Sequence, residues 1–327
     1  MPELKQIAER VLAGEPLDRD TALWVAGATE LEELLFWANF LRESFCGNVV
    51  HLCSIINARS GACAEDCKFC AQSAHHHTEV KVYPLLPEAQ TLDAAQQARQ
   101  TGADSFGIVT SGGSLCENAE DFAAVCHAAR QVQRTTHLSP CVSIGRLTPQ
   151  SAAQLIRAGV RRVNHNLETS KRFYPEICTT HAYAQRVETV KAAKEAGLQV
   201  CCGGIFGMGE SWQDRVDLAL QIRELQVDAV PINFLNPIPG TPLAGQPTLP
   251  PREALRIIAL YRFLLPEKEI KVCGGREVTL RDLQSWMFLA GASGTMVGSY
   301  LTTAGRSADD DLQMIADLGL RPRSAVP

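Results

Sequence analysis

Three cysteines in one short segment are the residues of this sequence best suited to carry chemistry. The segment GACAEDCKFCAQS contains Cys63, Cys67 and Cys70, separated by three and then by two residues. Three thiolates from one loop can occupy three corners of an iron–sulfur cubane, and no fourth ligand lies at local spacing. One iron is then open to a small molecule. The alternative is a structural zinc site, which usually takes four protein ligands.

The elements that must position these cysteines follow a strand–helix alternation. Parallel strands need crossover helices, so the pattern predicts an α/β fold, a closed (β/α)8 TIM-type barrel, with an open doubly wound sheet as the alternative. The cysteine segment follows the first strand, which predicts a place at the carboxyl-terminal mouth of the barrel. Eight strand-like runs carry the pattern, at 48–57, 105–112, 138–145, 161–168, 198–206, 229–235, 269–275 and 294–301.

The domain organisation follows from the same pattern. Apolar residues at helical spacing predict an N-terminal helical extension over residues 1–45. The barrel is expected over 46–320, and a short C-terminal tail over 321–327.

Composition narrows the class of protein further. The net charge of −5 gives no electrostatic reason to expect nucleic acid or a membrane surface as partner. No apolar run approaches the ~18 residues of a membrane span, and no signal-peptide core is visible. We therefore expect a cytoplasmic protein, whose twelve cysteines serve metal binding, catalysis or burial rather than disulfides. Five of them are expected to be buried small hydrophobic residues: Cys46, Cys53, Cys116, Cys126 and Cys178.

The fourth predicted strand carries polar residues on one face. Asn164, Asn166 and Glu168 alternate along RRVNHNLE and therefore point the same way. Burying them without partners would be costly, which indicates that they line a polar site. A hydrated barrel mouth without specific ligands is the alternative. His165 has the opposite parity and is expected to be a satisfied core histidine.

The cysteine segment resembles the radical S-adenosylmethionine (SAM) superfamily. Its hallmark is Cys-x3-Cys-x-aromatic-Cys, which Cys63, Cys67, Phe69 and Cys70 match. The resemblance implies a [4Fe-4S] cluster whose open iron binds the amino and carboxylate groups of SAM. It also implies reductive cleavage of SAM to a 5′-deoxyadenosyl radical that abstracts hydrogen, with Phe69 close to the adenine.

Within that superfamily the sequence resembles the biotin synthase family. The stretches VNHNLETS, CGGIFGMGES and AVPINFLNPIPGTPL carry the resemblance, which runs over about residues 45–320. It implies sulfur insertion into dethiobiotin, with sulfur from a second iron–sulfur cluster deeper in the barrel. It also implies that Asn166 and Glu168 bind the ribose of SAM, and that Asn166 and Asn233 bind dethiobiotin. A flavodoxin or ferredoxin electron donor and a homodimer are further implications.

The second cluster departs from the family pattern. The familiar site is a [2Fe-2S] cluster on three cysteines and one arginine, and only Cys141 and Cys201 match it. Gly107 and Lys271 stand where a cysteine and the arginine are expected, and an ammonium group is a poor ligand. Cys273 has the same strand parity as Lys271. We therefore expect Cys141, Cys201 and Cys273 to hold a different cluster, with a four-iron cluster that carries an extra sulfide as the candidate.

Several points stay open at this level. The three cavity thiols could instead be core cysteines without a second cluster, and the role of Cys202 is undefined. His75, His76 and His77 are predicted to lie in a solvated loop. Arg276 suits either a salt bridge or a carboxylate of SAM or substrate. The alternative functions are another radical SAM enzyme of the subgroup, a maturase or a carbon-skeleton rearranging enzyme, and a non-catalytic iron–sulfur or zinc protein.

Overall fold

The computed structural model describes residues 3–27 and 30–323. Residues 1–2 and 28–29 of the predicted N-terminal extension and residues 324–327 of the predicted tail lie outside the described residues. The strands are β1 (Val49–Arg59), β2 (Ser105–Thr110), β3 (Ser139–Ser143), β4 (Arg162–Asn164), β5 (Gln199–Cys201), β6 (Gly204–Phe206), β7 (Ala229–Phe234), β8 (Glu269–Val272), β9 (Gly294–Met296) and β10 (Arg321–Pro322). The helices are α1 (Leu4–Leu12), α2 (Arg19–Gly27), α3 (Leu31–Cys46), α4 (Glu88–Gln100), α5 (Ala119–Thr136), α6 (Pro149–Arg157), α7 (Tyr183–Glu195), α8 (Trp212–Glu224), α9 (Pro251–Leu264), α10 (Arg276–Leu280), α11 (Trp286–Leu289) and α12 (Ala308–Asp317).

The strands form a closed parallel barrel. Each strand from β1 to β5 pairs with the next, β5 and β6 both pair with β7, and β8 and β9 follow. The barrel closes because β9 also pairs with β1, with His51 opposite Gly294. Since β5 and β6 occupy one position, the barrel has the eight positions predicted from the sequence. The TIM-type fold is confirmed, and the open doubly wound alternative is wrong.

The fifth predicted strand is interrupted, and the reason lies on its neighbour. Cys201 pairs with Ala229 and Gly204 with Ile232, so Pro231 stands between the two halves. Proline has no N–H to give to a ladder. The carbonyl oxygen of Pro231 also lies 2.0 Å from where a Cβ on Gly203 would be, so only glycine fits there. The break turns the chain directly beside the barrel cavity.

The N-terminal helices pack on the outside of the barrel. In α1, Leu4, Ile7 and Val11 recur at helical spacing and are buried. Helix α3 packs against α9, whose residues are nearly all buried. Burying each such aliphatic side chain contributes about 1.5–3 kcal/mol before entropy is counted. The division into an extension at 1–45, a barrel at 46–320 and a tail stays a prediction.

One hydrogen-bonded cap fixes the segment that follows β4. The carboxylate of Asp214, in the first turn of α8, accepts hydrogen bonds from the Ser211 hydroxyl at 2.6 Å and from the Ser170 hydroxyl at 2.6 Å. Arg172 adds an ion pair to the same carboxylate. The helix cap therefore holds residues 165–170 at the barrel mouth.

Among the described residues, no helix is long and apolar enough to cross a membrane.

Candidate active site

The three motif cysteines lie on one compact loop after β1. The Cys63 N–H donates to the Gln72 carbonyl at 3.0 Å, and the Ala74 N–H donates to the Cys63 carbonyl at 2.7 Å. The Cys70 N–H donates to the Cys67 carbonyl at 2.9 Å, which folds the loop tightly. Burial raises the pKa of the Cys70 thiol to about 11, and the nearby charge of Cys63 adds to the rise. A bound cation would stabilise the thiolates and so lower these raised pKa values, as expected of thiols that bind a metal.

The loop is fixed to the segment after β4 by two carboxylates. Glu65 accepts hydrogen bonds from the Thr180 hydroxyl at 2.6 Å and from the His181 ring at 2.7 Å. Asp66 accepts from the Thr179 N–H at 2.9 Å and the Thr180 N–H at 3.2 Å. Charge-assisted hydrogen bonds of this kind are among the stronger ones in proteins. The cysteines are therefore held in place before any metal binds.

Two of the three consecutive histidines also hold the loop. Nε2 of His75 donates to the Ala64 carbonyl at 2.9 Å, and Nε2 of His76 donates to the Cys67 carbonyl at 3.0 Å. His75 and His77 are exposed, as expected of a solvated loop, whereas His76 is half-buried. The structural contribution of His76 was not visible in the sequence, because it depends on how the loop folds back.

Glu168 lies beside the loop with an unsatisfied oxygen. Its backbone has a φ of 69°, in the left-handed region that a residue other than glycine seldom adopts. Oε1 lies 3.5 Å from Nη1 of Arg186, while Oε2 is buried without a hydrogen-bond partner. Burial raises the pKa of Glu168, and the Arg186 guanidinium opposes the rise. An orphaned acceptor fits a ligand with hydroxyl donors, such as a ribose.

The predicted polar face of the fourth strand points inward. Asn164 and Asn166 line the barrel cavity, which has a volume of about 150 Å³, together with Asn233 from β7. The side-chain Oδ1 of Asn166 accepts from the Gly203 N–H at 3.1 Å. His165 points the other way and is buried, but its Nε2 has no hydrogen-bond partner, so the expectation of a satisfied histidine is wrong.

Asn233 is oriented by backbone on both sides. Its side-chain Oδ1 accepts from the Gly274 N–H at 3.0 Å, and its side-chain Nδ2 donates to the Gly204 carbonyl at 3.2 Å. One amide hydrogen and one oxygen lone pair remain for a ligand. The structure thus brings Asn166 and Asn233 to one cavity, as the sequence predicts.

Phe69, on the cysteine loop, is half-buried and packs on the hydrophobic core.

The interior of the barrel holds one cysteine more than the sequence indicates. Cys141, Cys201 and Cys273 line the cavity as expected, and Cys53 lines it with them. The prediction of Cys53 as a small core hydrophobic residue is therefore wrong. Strand parity could not single it out, because three consecutive residues of β1, Cys53, Ser54 and Ile55, line the cavity.

These thiols differ in their acidity. Burial raises the pKa of Cys141 to about 11 and that of Cys201 to about 12. A hydrogen bond from the Cys273 thiol lowers the pKa of Cys53 to about 7, helped by the charge of Lys271. Cys202 is fully buried in the core and does not line the cavity, so only one of the adjacent pair faces inward.

The two positions that depart from the family pattern behave differently. Gly107 faces the interior, since a Cβ there would lie 3.8 Å from the Asn164 amide nitrogen, but it offers no ligand. Lys271 is buried, with Nζ 2.5 Å from Oε1 of Glu269, which also binds Arg162 at 3.1 Å. Burial would lower the pKa of Lys271, but the charges of Cys53 and Glu269 raise it instead. Lys271 thus remains an ammonium group and not a metal ligand.

The remaining candidates have structural partners. The Arg276 guanidinium is 1% exposed and binds Asp311 at 2.5 Å and Gln284 at 2.8 Å, so it joins α10 to α12 and not to a ligand. Cys46, Cys116 and Cys126 are only half-buried, which corrects the expectation of buried positions. Cys178 is buried but not inert, because its Sγ lies 3.7 Å from Sγ of Cys67.

A three-thiol loop at the carboxyl-terminal mouth of a closed parallel barrel is the arrangement of radical SAM enzymes. Residues 58–222 match the Radical SAM superfamily, and residues 231–321 match the Biotin and Thiamin Synthesis associated domain. The chain is 52% identical to the biotin synthase of Geobacter sulfurreducens over 321 residues, covering 98% of this chain and 97% of that protein. It is 51% identical to the biotin synthase of Geobacter metallireducens over 319 residues, covering 97% of each. The chain belongs to the biotin synthase family.

Solved structures agree on the fold. Methylornithine synthase superposes with a TM-score of 0.82 at 19% identity, over 98% of each chain. The FeFe-hydrogenase maturase HydG of Carboxydothermus hydrogenoformans gives 0.84 at 17% identity, over 97% of this chain and 78% of that one. The predicted superfamily, family, barrel and enzymatic nature are confirmed, and with them a [4Fe-4S] cluster, SAM and an auxiliary iron–sulfur cluster as the cofactors of the family.

Proposed function

We propose that this chain converts dethiobiotin to biotin, with the site residues assigned as follows. The observation that carries the proposal is one barrel cavity lined both by the amides of Asn166 and Asn233 and by four cysteine thiols. When bound, the first cluster supplies the electron that cleaves SAM, and the auxiliary cluster supplies the sulfur. The residues of the chain bind, orient and shield these groups.

Cys63, Cys67 and Cys70 hold the first cluster, and Glu168 holds SAM beside it. The unpartnered Oε2 of Glu168 accepts hydrogen bonds from the ribose hydroxyls, and this removes the cost of burying it alone. Asn166 contacts the same ribose. Phe69, on the cluster loop, packs near the adenine.

Asn166 and Asn233 orient dethiobiotin below SAM. A cyclic urea has both N–H donors and a carbonyl acceptor, and an amide side chain matches both. Because the backbone of Gly203, Gly204 and Gly274 fixes the two amides, they lose little freedom when a ligand binds. This orientation presents the unactivated carbons between SAM and the thiol-lined end of the cavity.

Cys141, Cys201 and Cys273 bind the auxiliary cluster, and Cys53 is the fourth ligand. The family site loses two donors at Gly107 and Lys271, and the cavity gains two thiols at Cys53 and Cys273. Lys271 and Arg162 line the cavity with these thiols, and both pair with the one carboxylate of Glu269. The remaining positive charge favours thiolates over thiols.

Four thiolates can hold either a [4Fe-4S] cubane, with one thiolate on each iron, or a [2Fe-2S] cluster, with two on each iron, so the iron content decides between them. An extra sulfide needs one iron without a protein ligand. Cys53 would bind that iron in a four-thiolate cluster, whereas Cys141, Cys201 and Cys273 alone would leave it free. The two arrangements differ in the iron content of a Cys53→Ala variant.

Iron and sulfide per chain after anaerobic reconstitution test these assignments. With a four-iron auxiliary cluster, wild type should carry about eight irons, and a Cys141/Cys201/Cys273 triple alanine variant about four. Cys53→Ala should lower the auxiliary iron as well. Cys116→Ala is the matched control, since Cys116 lies in a groove on the outside of the barrel.

The outcomes separate the alternatives. About six irons in wild type would indicate a two-iron auxiliary site. About four irons in both wild type and the triple variant would remove the second cluster altogether. If Cys53→Ala keeps the iron content of wild type and carries more sulfide than iron, the auxiliary cluster is held by three thiolates and has an extra sulfide. Dethiobiotin should also stimulate SAM cleavage, which a maturase, a carbon-skeleton rearranging enzyme or a non-catalytic protein does not predict.

We further propose a cytoplasmic, homodimeric protein reduced by a flavodoxin or ferredoxin. Twelve cysteines without a disulfide support a reducing compartment. Size-exclusion chromatography with light scattering tests the dimer. SAM cleavage with each purified electron donor tests the reductant.

A further inference from the structure

A second group of metal-binding side chains adjoins the cluster loop. Cys178 and Cys67 are both buried, and their Sγ atoms lie 3.7 Å apart. The ring of His181 presents Nδ1 at 3.3 Å and Nε2 at 4.0 Å from Sγ of Cys178. Donor atoms of Cys67, Cys178 and His181 lie within 4.8 Å of one another. The segments are held together by the Lys68 N–H, which donates to the Ile177 carbonyl at 2.9 Å.

The spacing matches a tetrahedral cation. Zinc–sulfur bonds of about 2.3 Å at a tetrahedral angle place two sulfurs about 3.8 Å apart, close to the observed separation. Zinc–nitrogen bonds of about 2.0 Å place sulfur and nitrogen about 3.5 Å apart, between the two distances of the His181 ring. In a cubane, by contrast, each iron takes one cysteine, so Cys178 is superfluous there.

We propose that the cluster-free chain binds a thiophilic divalent cation of the Zn²⁺ class on Cys67, Cys178 and His181. Each thiol gives up its proton on binding, and a water molecule completes the coordination. Because the cluster also needs Cys67, cation and cluster exclude each other. The site therefore controls whether the loop is free for cluster assembly.

The surroundings of His181 support a ligand role. Oε2 of Glu65 lies 2.7 Å from Nδ1, and the Tyr174 hydroxyl lies 2.7 Å from Nε2. A carboxylate that accepts from one ring nitrogen fixes the tautomer and leaves the other nitrogen free to bind metal. Binding through Nε2 requires that the Tyr174 hydroxyl, which also accepts from Nε of Arg186 at 2.7 Å, give up its contact with the ring. Asp66 lies 3.3 Å from Sγ of Cys178 and adds negative charge beside the cation.

Cobalt titration of the reduced, cluster-free, full-length chain tests the site. The titrated chain and every variant compared with it also carry Cys141→Ala, Cys201→Ala and Cys273→Ala, because the interior thiols would bind Co²⁺ themselves, and this background is the wild type of the experiment. Co²⁺ is the probe because its thiolate charge-transfer and d–d bands report coordination directly. One Co²⁺ per chain should bind in wild type. Cys178→Ala and His181→Ala should each weaken binding by more than the roughly 10- to 100-fold that an outer hydrogen bond is worth.

Cys63→Ala and Cys70→Ala are the matched controls and should bind Co²⁺ within about threefold of wild type. Cys178→Ala should still take up about four irons at the first cluster, which shows that it folds. One equivalent of Zn²⁺ should slow that uptake in wild type much more than in Cys178→Ala.

Three results would overturn the proposal. They are the absence of tight Co²⁺ binding in wild type, binding that survives in Cys178→Ala, and binding that is lost in Cys63→Ala and Cys70→Ala. The last result would assign the cation to the three cluster cysteines. None of these outcomes depends on biotin formation, so the proposed function stands or falls separately.

Discussion

The mouth and the interior of the barrel collect thiols in opposite ways. At the mouth, Cys63, Cys67 and Cys70 lie on one loop within a single segment of the chain. In the interior, Cys53 and Cys141 come from β1 and β3, and the other thiols come from strands farther along. A loop can be moved between proteins as a unit. A set of thiols distributed over strands can change one position at a time.

The charges around the two sets also differ. At the loop, Arg146 and Arg186 each pair with a carboxylate, and Asp66 adds a further negative charge, whereas in the interior two cations, Lys271 and Arg162, share the single carboxylate of Glu269. Cations beside buried thiolates stabilise the negative charge that burial would otherwise disfavour, in the place of solvent. The mouth leaves charge compensation to the bound metal and to SAM, a cationic sulfonium. The two sites should therefore fail independently.

The largest expected effect is the selective loss of one cluster. Cys63→Ala should lack about four irons but retain the auxiliary cluster, and Cys201→Ala should show the reverse. Biotin formation should be undetectable in both variants, since each removes a required group. Iron analysis together with Mössbauer spectra of the reconstituted proteins measures the two populations. Loss of all iron from either variant would show that the sites assemble as one unit.

Stability should depend strongly on the interior charges. Glu269→Gln leaves Lys271 and Arg162 buried without their carboxylate, and breaking a buried ion pair in this way costs about 3–5 kcal/mol. Lys271→Met is the matched control and should cost less than half as much, because Glu269 keeps Arg162. Urea unfolding of the cluster-free chain measures both. Equal losses would show that the carboxylate is not the centre of the network.

The same pair predicts a dependence on pH. Burial would raise the pKa of Glu269, but Lys271 and Arg162 hold it well below its ordinary value of 4.5. A lowered pKa contributes stability above the ordinary value and loses it as pH falls toward the folded-state value. The difference in unfolding free energy between wild type and Glu269→Gln should therefore shrink as the pH falls below 4.5. A difference that stays constant from neutral to acid pH would contradict the assignment.

The comparison also explains what the sequence could predict. The cysteine spacing and the strand parity of Asn166, Cys141 and Cys201 follow from local rules, and the structure places them as expected. Strand parity could not single out the inward thiol of Cys53, and only the position of neighbouring strands shows that it meets Cys273. Contacts between distant segments depend on tertiary packing, which is why they were missed.

Cys178 shows why it is not enough to expect a single cysteine to be a buried small hydrophobic residue. It is buried, as expected, with only 3% of its surface exposed. Its partner Cys67 is more than a hundred residues away, and sequence spacing carries no information about that contact. Composition predicts burial, whereas chemistry depends on the neighbour.

A smaller effect is expected for SAM binding. Glu168→Gln keeps the size of the side chain but removes its negative charge, and a hydrogen bond to a charged group is worth about 1.5–3 kcal/mol. SAM affinity should fall about 10- to 100-fold in equilibrium dialysis with the reconstituted protein. Because burial raises the pKa of Glu168, wild-type affinity should also fall as the medium becomes acidic, and that of Glu168→Gln should not. Equal pH dependence in the two proteins would remove Glu168 from the SAM site.

The smallest expected effect concerns the stiffness of the cluster loop. His76→Ala removes the hydrogen bond to the Cys67 carbonyl, a loss of about 0.5–1.5 kcal/mol, while the remaining contacts of the loop persist. Iron should still reach the wild-type level, but a chelator should extract the mouth cluster about two- to tenfold faster. His77→Ala is the control, because that side chain is exposed. The interior iron should leave at the wild-type rate in both variants, since no strand of the barrel is altered. Faster loss of interior iron in His76→Ala would mean that the loop shields the cavity as well as the mouth.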